Sequence, residues 1–355
     1  MVSVTKREFG VLSCGTAVSL YTVRNAEMSF SATDYGCQLT SILLPNGRGG
    51  HDDVLLGFSS LDSIVHRNQQ RFGSLIGRYA NRVANAAFAL DGRTYRLDKN
   101  WNGHTLHGGF SGYDQVLWKA EETDGKEGRG VRFTRTSPDG EQGYPGSLRL
   151  EVSYLLNERN EVTLRYAATT DKATPVNLTN HAYFNLKGHS GGSVANHIAQ
   201  VNSTKYLEVG AHLIPTGRIL PVAGTAFDLT SPKPFGSGFG SPELEAMLGG
   251  YDVCYCFGEK AGKAADSGSL PVLAVVAEPD TKRTLTCRSN QPCMQLYTSN
   301  SVSGIPGKCS FVYEKFGGFC LETQQYTNAL NVGAFPSAVL KPGETYDAVT
   351  VYAFS

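Results

Sequence analysis

The chain has 355 residues and a mass of 38.2 kDa, with 32 basic and 32 acidic side chains and a pI near 7.1. This balance lacks the positive field that gathers nucleic-acid phosphates or anionic lipid, so we expect neither a nucleic-acid partner nor a membrane partner. No apolar run approaches the roughly 20 residues needed to cross a bilayer, and the N-terminus is a poor secretion signal. We therefore expect a soluble protein of the cytoplasm.

Patterns typical of short strands recur along the whole chain. The alternating or β-branched runs are VSLYTV (18–23), MSFSAT (28–33), DVLLGF (53–58), FALDGRTYRL (88–97), GVRFTRT (130–136), LRLEVSYLL (148–156), EVTLRYAATT (161–170), KYLEV (205–209), VLAVVAE (272–278), RTLTC (283–287), MQLYTS (294–299), FCLETQ (319–324) and YDAVTVYAF (346–354). Hairpins are predicted at two places, one around the Asp91-Gly92 turn and one over residues 148–170. Helical periodicity is confined to LDSIVHR (61–67) and SPELEAML (241–248).

Forty glycines and 15 prolines separate these runs. The pattern predicts an all-β protein, and a large β-sandwich with a few short helices fits it best. Loose stretches at 231–242 and 258–269 have strands on both sides, so we interpret them as surface loops of one domain that spans residues 1–355. The eight cysteines form no C-x-x-C pair, which favours reduced, mostly buried thiols.

The segment NLTNHAYFNL (177–186) reads as a strand with a histidine at its centre. With a period of two, one face is polar and the other apolar, and only Asn180 breaks the alternation. The polar face consists of Asn177, Thr179, His181, Tyr183 and Asn185. Such a face suits a polar ligand or a wet cleft, but it equally fits a surface strand that meets bulk water, and the segment alone favours the surface strand.

Glu322 is the most informative of the other polar residues because it lies among small and apolar residues in FCLET. Carboxylates are seldom buried without partners, so Glu322 is either paired with an arginine for structure or held for use as a base. The residues alone leave these two alternatives equal.

For the other candidate site residues, the local sequence supports a structural role at least as well as a functional one. Asp252 follows two glycines and reads more readily as a turn residue, and Arg82 as a surface cation. Gln295 fits a solvated strand residue equally well. His104 and His107 form an H-x-x-H pair without a third obvious ligand, which is weak evidence for a metal site.

Taken in order over nearly the whole chain, the motifs resemble those of the aldose 1-epimerase (galactose mutarotase) family. They are GRYANRV, FALDGRTYRL, LHGGFSGYDQVLW, SPDGEQGYPG, TPVNLTNHAYFNL, LIPTGRILPVAGTAFDL, GGYDVCYCF, QLYTSN, GFCLETQ and LKPGETY. One of these motifs alone would be weak evidence, but the ordered series is specific. The resemblance implies a large antiparallel β-sandwich with a sugar-binding cleft.

The resemblance also implies an isomerase that interconverts the α and β anomers of free aldohexoses such as galactose and glucose. It makes Glu322 the general base and His181 the general acid. The residues expected to hold the sugar are Asn81, Arg82, His107, Tyr183, Asp252 and Gln295. No cofactor and no metal are expected, and the protein should be a monomer or a weak homodimer with a monosaccharide as its substrate.

The chemistry explains these residue types, because anomer exchange needs a proton taken from the anomeric hydroxyl and another given to the ring oxygen. A glutamate with an ordinary pKa of about 4.3 is ionised at neutral pH and can accept a proton. A histidine near pKa 6.5 can donate if neighbouring carboxylates keep it protonated, and we expect Asp252 and Glu322 to supply that field.

The sequence departs from the family pattern at three places. Thr327 and Asn328 replace a usual proline-aspartate pair, Val253 replaces a frequent histidine, and His104 stands in front of His107 where asparagine is common. We expect the first two departures to border the cleft and to affect sugar preference. Three other functions stay open, namely a hexose-6-phosphate 1-epimerase, a glycosidase that uses Asp252 and Glu322, and a non-catalytic sugar-binding module.

Overall fold

The computed structural model describes residues 1–258 and 269–355. Of the predicted loop at 258–269, residues 259–268 therefore lie outside the described part of the chain. Two α-helices occur in that part, α1 (Leu61–Arg67) and α2 (Pro242–Glu245), both within the segments predicted to be helical. Each begins after a serine whose hydroxyl accepts a backbone N–H of the first turn, Ser60 for α1 and Ser241 for α2.

Twenty-nine strands make up most of the regular structure in the described residues. Those in the first half of the chain are β1 (Ser3–Val11), β2 (Ala17–Arg24), β3 (Ser29–Thr33), β4 (Leu39–Pro45), β5 (His51–Asp53), β6 (Leu75–Ile76), β7 (Arg82–Val83), β8 (Ala87–Leu90), β9 (Arg93–Arg96), β10 (Thr105–Leu106), β11 (Lys119–Gly125), β12 (Gly128–Ser137), β13 (Leu148–Leu156), β14 (Glu161–Thr170) and β15 (Thr174–Pro175). Those in the second half are β16 (Thr179–Asn180), β17 (Ile198–Val201), β18 (Lys205–Val209), β19 (Pro215–Pro221), β20 (Lys233–Pro234), β21 (Asp252–Cys256), β22 (Val272–Ala277), β23 (Thr284–Ser289), β24 (Cys293–Tyr297), β25 (Ile305–Pro306), β26 (Val312–Tyr313), β27 (Cys320–Gln324), β28 (Val339–Leu340) and β29 (Tyr346–Phe354).

Three larger sheets carry the architecture. One has the strand order β1-β2-β3-β4-β5, and a nine-stranded sheet has the order β11-β12-β13-β14-β29-β23-β22-β17-β20. The third sheet, which matters most for the site, has the order β19-β18-β21-β24-β27. Neighbouring strands in these sheets run antiparallel, and the remaining short strands form two-stranded ribbons.

One continuous core joins the three sheets. It contains Phe30 from the first sheet, Val152 and Tyr166 from the nine-stranded sheet, and Leu296 and Leu321 from the third. The predicted all-β sandwich is thereby confirmed. Strand β13 illustrates why these sequences form the layers, since its alternate apolar residues are buried while the intervening Arg149 and Glu151 are exposed.

Both predicted hairpins are present, and Asp91 and Gly92 have the expected positive φ angles of 49° and 75°. Two predictions need correction. In DVLLGF only Asp53 belongs to a strand, and residues 54–58 are buried in an irregular connection to α1, in which Leu55 forms an isolated bridge with Phe184. The predicted loop at 231–242 contains β20, which pairs with β17 and forms an edge of the nine-stranded sheet.

All eight cysteines are free thiols, and all except Cys14 and Cys309 are buried, as predicted. Among the described residues, no helix has the length and apolar character that a membrane crossing requires.

Candidate active site

Three adjacent strands, β21, β24 and β27, form one wall of a cavity of about 520 Å³. Their register places two rows of side chains on the same face, since side chains alternate along a strand. The rows are Cys254–Gln295–Glu322 and Asp252–Tyr297–Cys320. The opposite face of these strands is apolar and belongs to the core. The wall is therefore a polar surface on rigid backbone, with Asp252, Gln295 and Glu322 lining the cavity.

The facing walls come from the connections that follow other strands. They contribute Asn81 and Arg82 at the start of β7, His107 after β10, and His181 and Tyr183 after β16. All eight predicted site residues therefore line this one cavity. The local interpretations of Asp252 as a turn residue and of Arg82 as a surface cation are wrong, because Asp252 begins β21 and Arg82 is buried.

The histidine segment 177–186 is not one continuous strand. Only Thr179–Asn180 pairs as a strand, with Leu75–Ile76, and every residue of the segment is buried. The surface-strand interpretation is therefore wrong. The apolar face enters the core as predicted, but the polar face divides into two groups, because His181 and Tyr183 line the cavity while the side chains of Asn177 and Asn185 bind backbone groups.

His181 is held on several sides. Its backbone N–H donates to the carbonyl of Ser74, and its carbonyl accepts the N–H of Gly73, both at 2.9 Å. The imidazole stacks on the ring of Tyr183, with centroids 4.8 Å apart and an interplanar angle of 7°. The Tyr183 hydroxyl donates to the carbonyl of Gln70 at 3.0 Å, which fixes the ring that supports the histidine.

Glu322 faces His181 in the cavity, with Nε2 of the imidazole 3.7 Å from Oε1 of the carboxyl group. Glu322 is 2% exposed, and its Oε2 has no hydrogen-bond partner in the part of the chain that the structure describes. Among the described residues no arginine forms an ion pair with it, so the structural alternative of an arginine-paired glutamate is wrong. A buried carboxyl oxygen without a donor is costly to keep, which is typical of a group held for function.

The predicted ionisation states need correction. Burial, followed by the negative charge of Asp252, raises the pKa of Glu322 well above its ordinary value. Burial, followed by the positive charge of Arg71, lowers the pKa of His181 to about 3. The expected carboxylate field does not dominate, because the cost of desolvating the imidazolium and the nearby arginine outweigh it.

These two shifts favour the carboxylic acid with the neutral imidazole, which is a pair without net charge. The pair satisfies this condition in two forms, carboxylic acid with neutral imidazole, or carboxylate with imidazolium. Both forms hold the same number of protons, so moving one proton between Glu322 and His181 leaves the net charge unchanged. In either form the pair contains one group that can give a proton and one that can accept a proton, as general acid/base chemistry requires.

A hydrogen-bonded ring lies beside this pair. Asp252 accepts from Arg82 at 3.2 Å and from the Gln295 amide at 2.5 Å. The side chain of Asn81 donates to Gln295 at 3.1 Å and accepts from Arg82 at 3.1 Å. Because each side chain is held by another, their remaining donors and acceptors are pre-oriented towards the cavity, which suits the recognition of several hydroxyl groups.

His107 has a defined tautomer. Its Nδ1 accepts the backbone N–H of Asn81 at 3.2 Å, and burial holds the pKa of the imidazole well below its ordinary value. The neutral ring must therefore carry its proton on Nε2, so His107 can donate a hydrogen bond into the cavity.

This tautomer also bears on metal binding. Potential ligand atoms of His107, His181 and Glu322 lie within 4.8 Å of one another. A metal needs an unprotonated ring nitrogen, and the Nδ1 of His107 is already occupied by the Asn81 N–H. The donor set therefore fits a metal poorly. The predicted H-x-x-H pair does not form a site either, since Nδ1 of His104 accepts the Asn85 N–H at 2.8 Å outside the cavity lining.

The family departures lie away from the cavity, contrary to our expectation. Val253 is on the apolar face of β21 in the core. Thr327 accepts a hydrogen bond from Gln324, and Asn328, with a φ of 59°, accepts the backbone N–H of Ala84. None of these three residues lines the cavity.

Several further residues line the cavity without a sequence pattern that predicts them. Arg71 lines the cavity with a φ of 57°, and its Nε lies 3.5 Å from Oδ2 of the buried Asp114. Nothing in NQQRFG separates this arginine from a surface residue. The cavity also has an exposed apolar rim, which consists of Trp101, Phe110 and Leu248. For this rim the one available sequence signal was Trp101, an aromatic residue between the turn-forming residues Asn100 and Asn102.

Comparisons with known proteins show the family. The profile of the family described as aldose 1-epimerase matches residues 19–353. Galactose mutarotase from Rattus norvegicus is 40% identical over 357 residues, which cover 100% of this chain and 99% of the relative. The aldose 1-epimerase of Escherichia coli K12 is 35% identical over 344 residues, which cover 96% of each protein.

Solved structures show the same architecture. The crystal structure of galactose 1-epimerase from Lactobacillus acidophilus NCFM superposes with a TM-score of 0.84 at 25% identity, covering 100% of this chain and 99% of that one. An aldose epimerase homologue from C. elegans gives a TM-score of 0.81 at 28% identity, covering 93% of this chain and 96% of that one. The chain therefore belongs to the aldose 1-epimerase family.

Proposed function

We propose that this protein is a mutarotase that interconverts the α and β anomers of free aldohexoses such as galactose and glucose, with Glu322 as general base and His181 as general acid. The observation that carries the proposal is the buried His181–Glu322 pair, 3.7 Å apart, in a cavity that also holds a ring of polar side chains. The family membership supports the same reaction.

In the proposed reaction Glu322 takes the proton of the anomeric hydroxyl while the bond between C1 and the ring oxygen breaks. His181 gives its Nε2 proton to the ring oxygen, and an open-chain aldehyde results. Rotation about the C1–C2 bond exposes the other carbonyl face. Ring closure then returns one proton to His181 from the ring hydroxyl, while Glu322 protonates the new anomeric oxygen.

The charge balance of the pair supports this sequence. Ring opening converts carboxylate with imidazolium into carboxylic acid with neutral imidazole, and ring closure reverses the change. The pair has no net charge before or after either step, which suits a buried site where an uncompensated charge is costly. The reaction changes no oxidation state and uses no second substrate, so we propose that it needs no cofactor.

The other predicted residues are proposed to hold the sugar. Asn81, Arg82, Asp252 and Gln295 offer donors and acceptors from the interlinked ring beside the acid/base pair. His107 is proposed to donate from Nε2 to a hydroxyl group. Tyr183 is proposed to act through its ring, which supports His181, since its hydroxyl already donates to a backbone carbonyl.

A sugar phosphate is less well matched to this cavity. Among its described lining residues, the arginines are Arg71 and Arg82, and each lies beside a carboxylate, Asp114 or Asp252. Neither cation is therefore available as an unpaired phosphate ligand. The glycosidase alternative gives no role to His181. A non-catalytic sugar-binding module gives no reason to bury Glu322 without a partner for Oε2.

Two further properties are inferred with the function. The eight free thiols support a reducing compartment, so we infer a cytoplasmic location. The neutral charge balance supports a protein without a nucleic-acid or membrane partner, and we infer a monomer or weak homodimer, which light scattering after size exclusion measures directly.

Polarimetry on freshly dissolved α-D-galactose, α-D-glucose and α-D-glucose 6-phosphate tests the proposal. The wild-type chain should accelerate the change of rotation for the free hexoses, and Glu322→Gln should lose nearly all of this acceleration while keeping its circular dichroism spectrum. Glu278→Gln is the matched control, because Glu278 is equally buried but lies outside the cavity. Full activity of Glu322→Gln would remove the proposed base, and a preference for the phosphate would replace the proposed substrate.

A further inference from the structure

Cys320 lies directly behind the proposed acid. It is completely buried on β27, two residues before Glu322, and is not among the cavity-lining residues. Its Sγ is 3.5 Å from Nδ1 of His181, the ring nitrogen that points away from Glu322. The strand that carries the base therefore also carries a hydrogen-bonding group for the far side of the imidazole.

Within the described part of the chain, no other hydrogen-bond partner approaches this nitrogen. The Tyr183 ring covers one face of the imidazole, but its hydroxyl donates to the carbonyl of Gln70. His107 approaches edge to face, with centroids 5.2 Å apart, and its Nδ1 is bound to the Asn81 N–H. The thiol is thus the group that can decide which ring nitrogen of His181 carries the proton.

The proposed reaction sets a requirement on that proton. His181 must alternate between imidazolium, which has protons on both nitrogens, and a neutral ring that can accept a proton at Nε2. The neutral ring must then keep its proton on Nδ1. A ring with its only proton on Nε2 cannot accept another proton on the cavity side, and it could donate only by forming an imidazolate. Both working states therefore contain an Nδ1–H group.

We propose that Cys320 is a positioning residue whose sulfur accepts a hydrogen bond from Nδ1–H of His181 and so keeps Nε2 free to carry the transferred proton. This inference rests on the proposed function, since the requirement for Nδ1–H comes from the proton exchange. It adds a residue that contacts neither the sugar nor the reacting atoms.

The chemistry of a thiol suits this task. Sulfur is a weak acceptor, so it can fix the tautomer without stabilising the imidazolium as strongly as a carboxylate would. A carboxylate at this position would also add a negative charge next to Glu322. Burial raises the pKa of the Cys320 thiol well above its ordinary value, so the group stays neutral.

The first test is direct and needs no substrate. Nitrogen-15 NMR of histidine-labelled protein, with the His181 signals assigned by their loss in His181→Gln, distinguishes a protonated ring nitrogen from an unprotonated one. We expect the neutral His181 ring to carry its proton on Nδ1. A proton on Nε2 in the wild-type protein would overturn the proposal without any kinetic measurement.

The second test uses three variants. Cys320→Ala should lower kcat by about tenfold with KM changed less than twofold, since only the tautomer is disturbed. Cys320→Ser keeps an acceptor and should restore most of kcat together with the Nδ1–H signature. Cys287→Ala is the control for losing a buried thiol, because Cys287 is equally buried in the nine-stranded sheet and away from the cavity.

Equal kcat values for Cys320→Ala and Cys287→Ala, or an unchanged tautomer in Cys320→Ala, would overturn the proposal. Failure of the proposed function would look different, because the wild-type protein would then not accelerate mutarotation at all, whereas the NMR measurement would still report the tautomer.

Discussion

Two buried glutamates in this chain have nearly the same exposure and opposite surroundings. Glu278, after β22, is 1% exposed, and its Oε2 accepts the backbone N–H groups of Asp280 and Thr281 at 3.0 and 2.6 Å. Its Oε1 lies 3.5 Å from the ammonium group of Lys187. Glu322 is 2% exposed, faces a neutral imidazole, and has no donor for Oε2 within residues 1–258 and 269–355.

The pKa values follow these surroundings. Burial raises the pKa of both carboxyl groups, but for Glu278 the hydrogen bonds from Thr281 and Asp280 and the charge of Lys187 outweigh burial and lower the pKa. For Glu322 burial and the charge of Asp252 outweigh the positive charges of Arg82 and Arg71, so the pKa is raised. Both carboxyl groups have one oxygen without a hydrogen-bond partner among the described residues, Oε1 in Glu278 and Oε2 in Glu322. What distinguishes them is the ammonium group of Lys187 beside Glu278, whereas a buried carboxyl group without such an ion pair suits the proton transfer proposed for Glu322.

The largest expected effect is a difference in kcat between variants of two buried histidines, His181 and His197. His181→Gln should lower kcat by about 10²–10⁴-fold, because it removes one of the two proton-transfer groups. His197→Gln should leave kcat nearly unchanged, since the buried His197 accepts the backbone N–H of Leu186 outside the cavity and serves structure. Polarimetry with α-D-galactose measures both. Equal losses in the two variants would break the comparison.

The second prediction concerns pH. The His181–Glu322 pair works only with one transferable proton, so activity should fall when a second proton binds and when the last one leaves. The lowered pKa of His181, about 3, places the acid limb well below pH 6.5. The raised pKa of Glu322 places the alkaline limb above the ordinary glutamate range, and beyond either limb kcat/KM should drop about tenfold per pH unit. A single rise with a midpoint near 6.5 would contradict this assignment, because it would report a histidine with an ordinary pKa.

The sequence predicted the parts of the fold that depend on local periodicity. The hairpin of β13 and β14 follows from strict alternation, and the Asp91-Gly92 turn follows from residues that accept positive φ. It failed for DVLLGF, where apolar residues are buried without forming a strand. Apolar side chains can be buried by contacts with the core without any hydrogen-bonded pairing of strands. The sequence of one segment cannot distinguish a buried strand from a buried irregular connection.

The site was predictable only in part for a related reason. Its residue types were identified by resemblance, whereas their ionisation depends on partners distant in sequence. Arg71, about 110 residues before His181, helps to lower the pKa of His181. No local sequence pattern predicts that electrostatic interaction. The same applies to Cys320, whose contact with His181 is created by the packing of β27 against the segment after β16.

The third prediction concerns stability. Glu322 has a higher pKa in the folded than in the unfolded chain, so its protonated form favours folding, and that contribution is present in full at low pH and is lost as pH rises through the folded pKa. Glu322→Gln should therefore unfold at an equal or higher urea midpoint than wild type at pH 8. Glu278→Gln should instead lose about 1–3 kcal/mol at pH 8, because Lys187 and two backbone N–H groups lose an ionised acceptor.

That comparison has an internal check. The pKa of Glu278 is lowered in the folded chain, so its stabilising contribution is present above the unfolded pKa and is lost as pH falls. The free energy of unfolding that Glu278→Gln loses relative to wild type should thus become smaller from pH 8 to pH 4. Any stability that Glu322→Gln gains relative to wild type should also become smaller over the same range. Urea unfolding at both pH values measures the two differences, and a pH-independent offset for either variant would contradict the assigned shift.

The smallest expected effect is that of metal removal. His107, His181 and Glu322 are close enough to resemble a metal site, yet the Asn81 N–H occupies Nδ1 of His107 and leaves the proton on Nε2. Dialysis against EDTA should therefore leave kcat and KM within about twofold of their starting values, since no step requires a metal. Added Zn²⁺ should inhibit only weakly, because coordination by His107 would break its hydrogen bond to Asn81 and force the loss of the Nε2 proton. Loss of activity on chelation, restored by Zn²⁺, would show that the tautomer of His107 differs from the one this backbone contact requires.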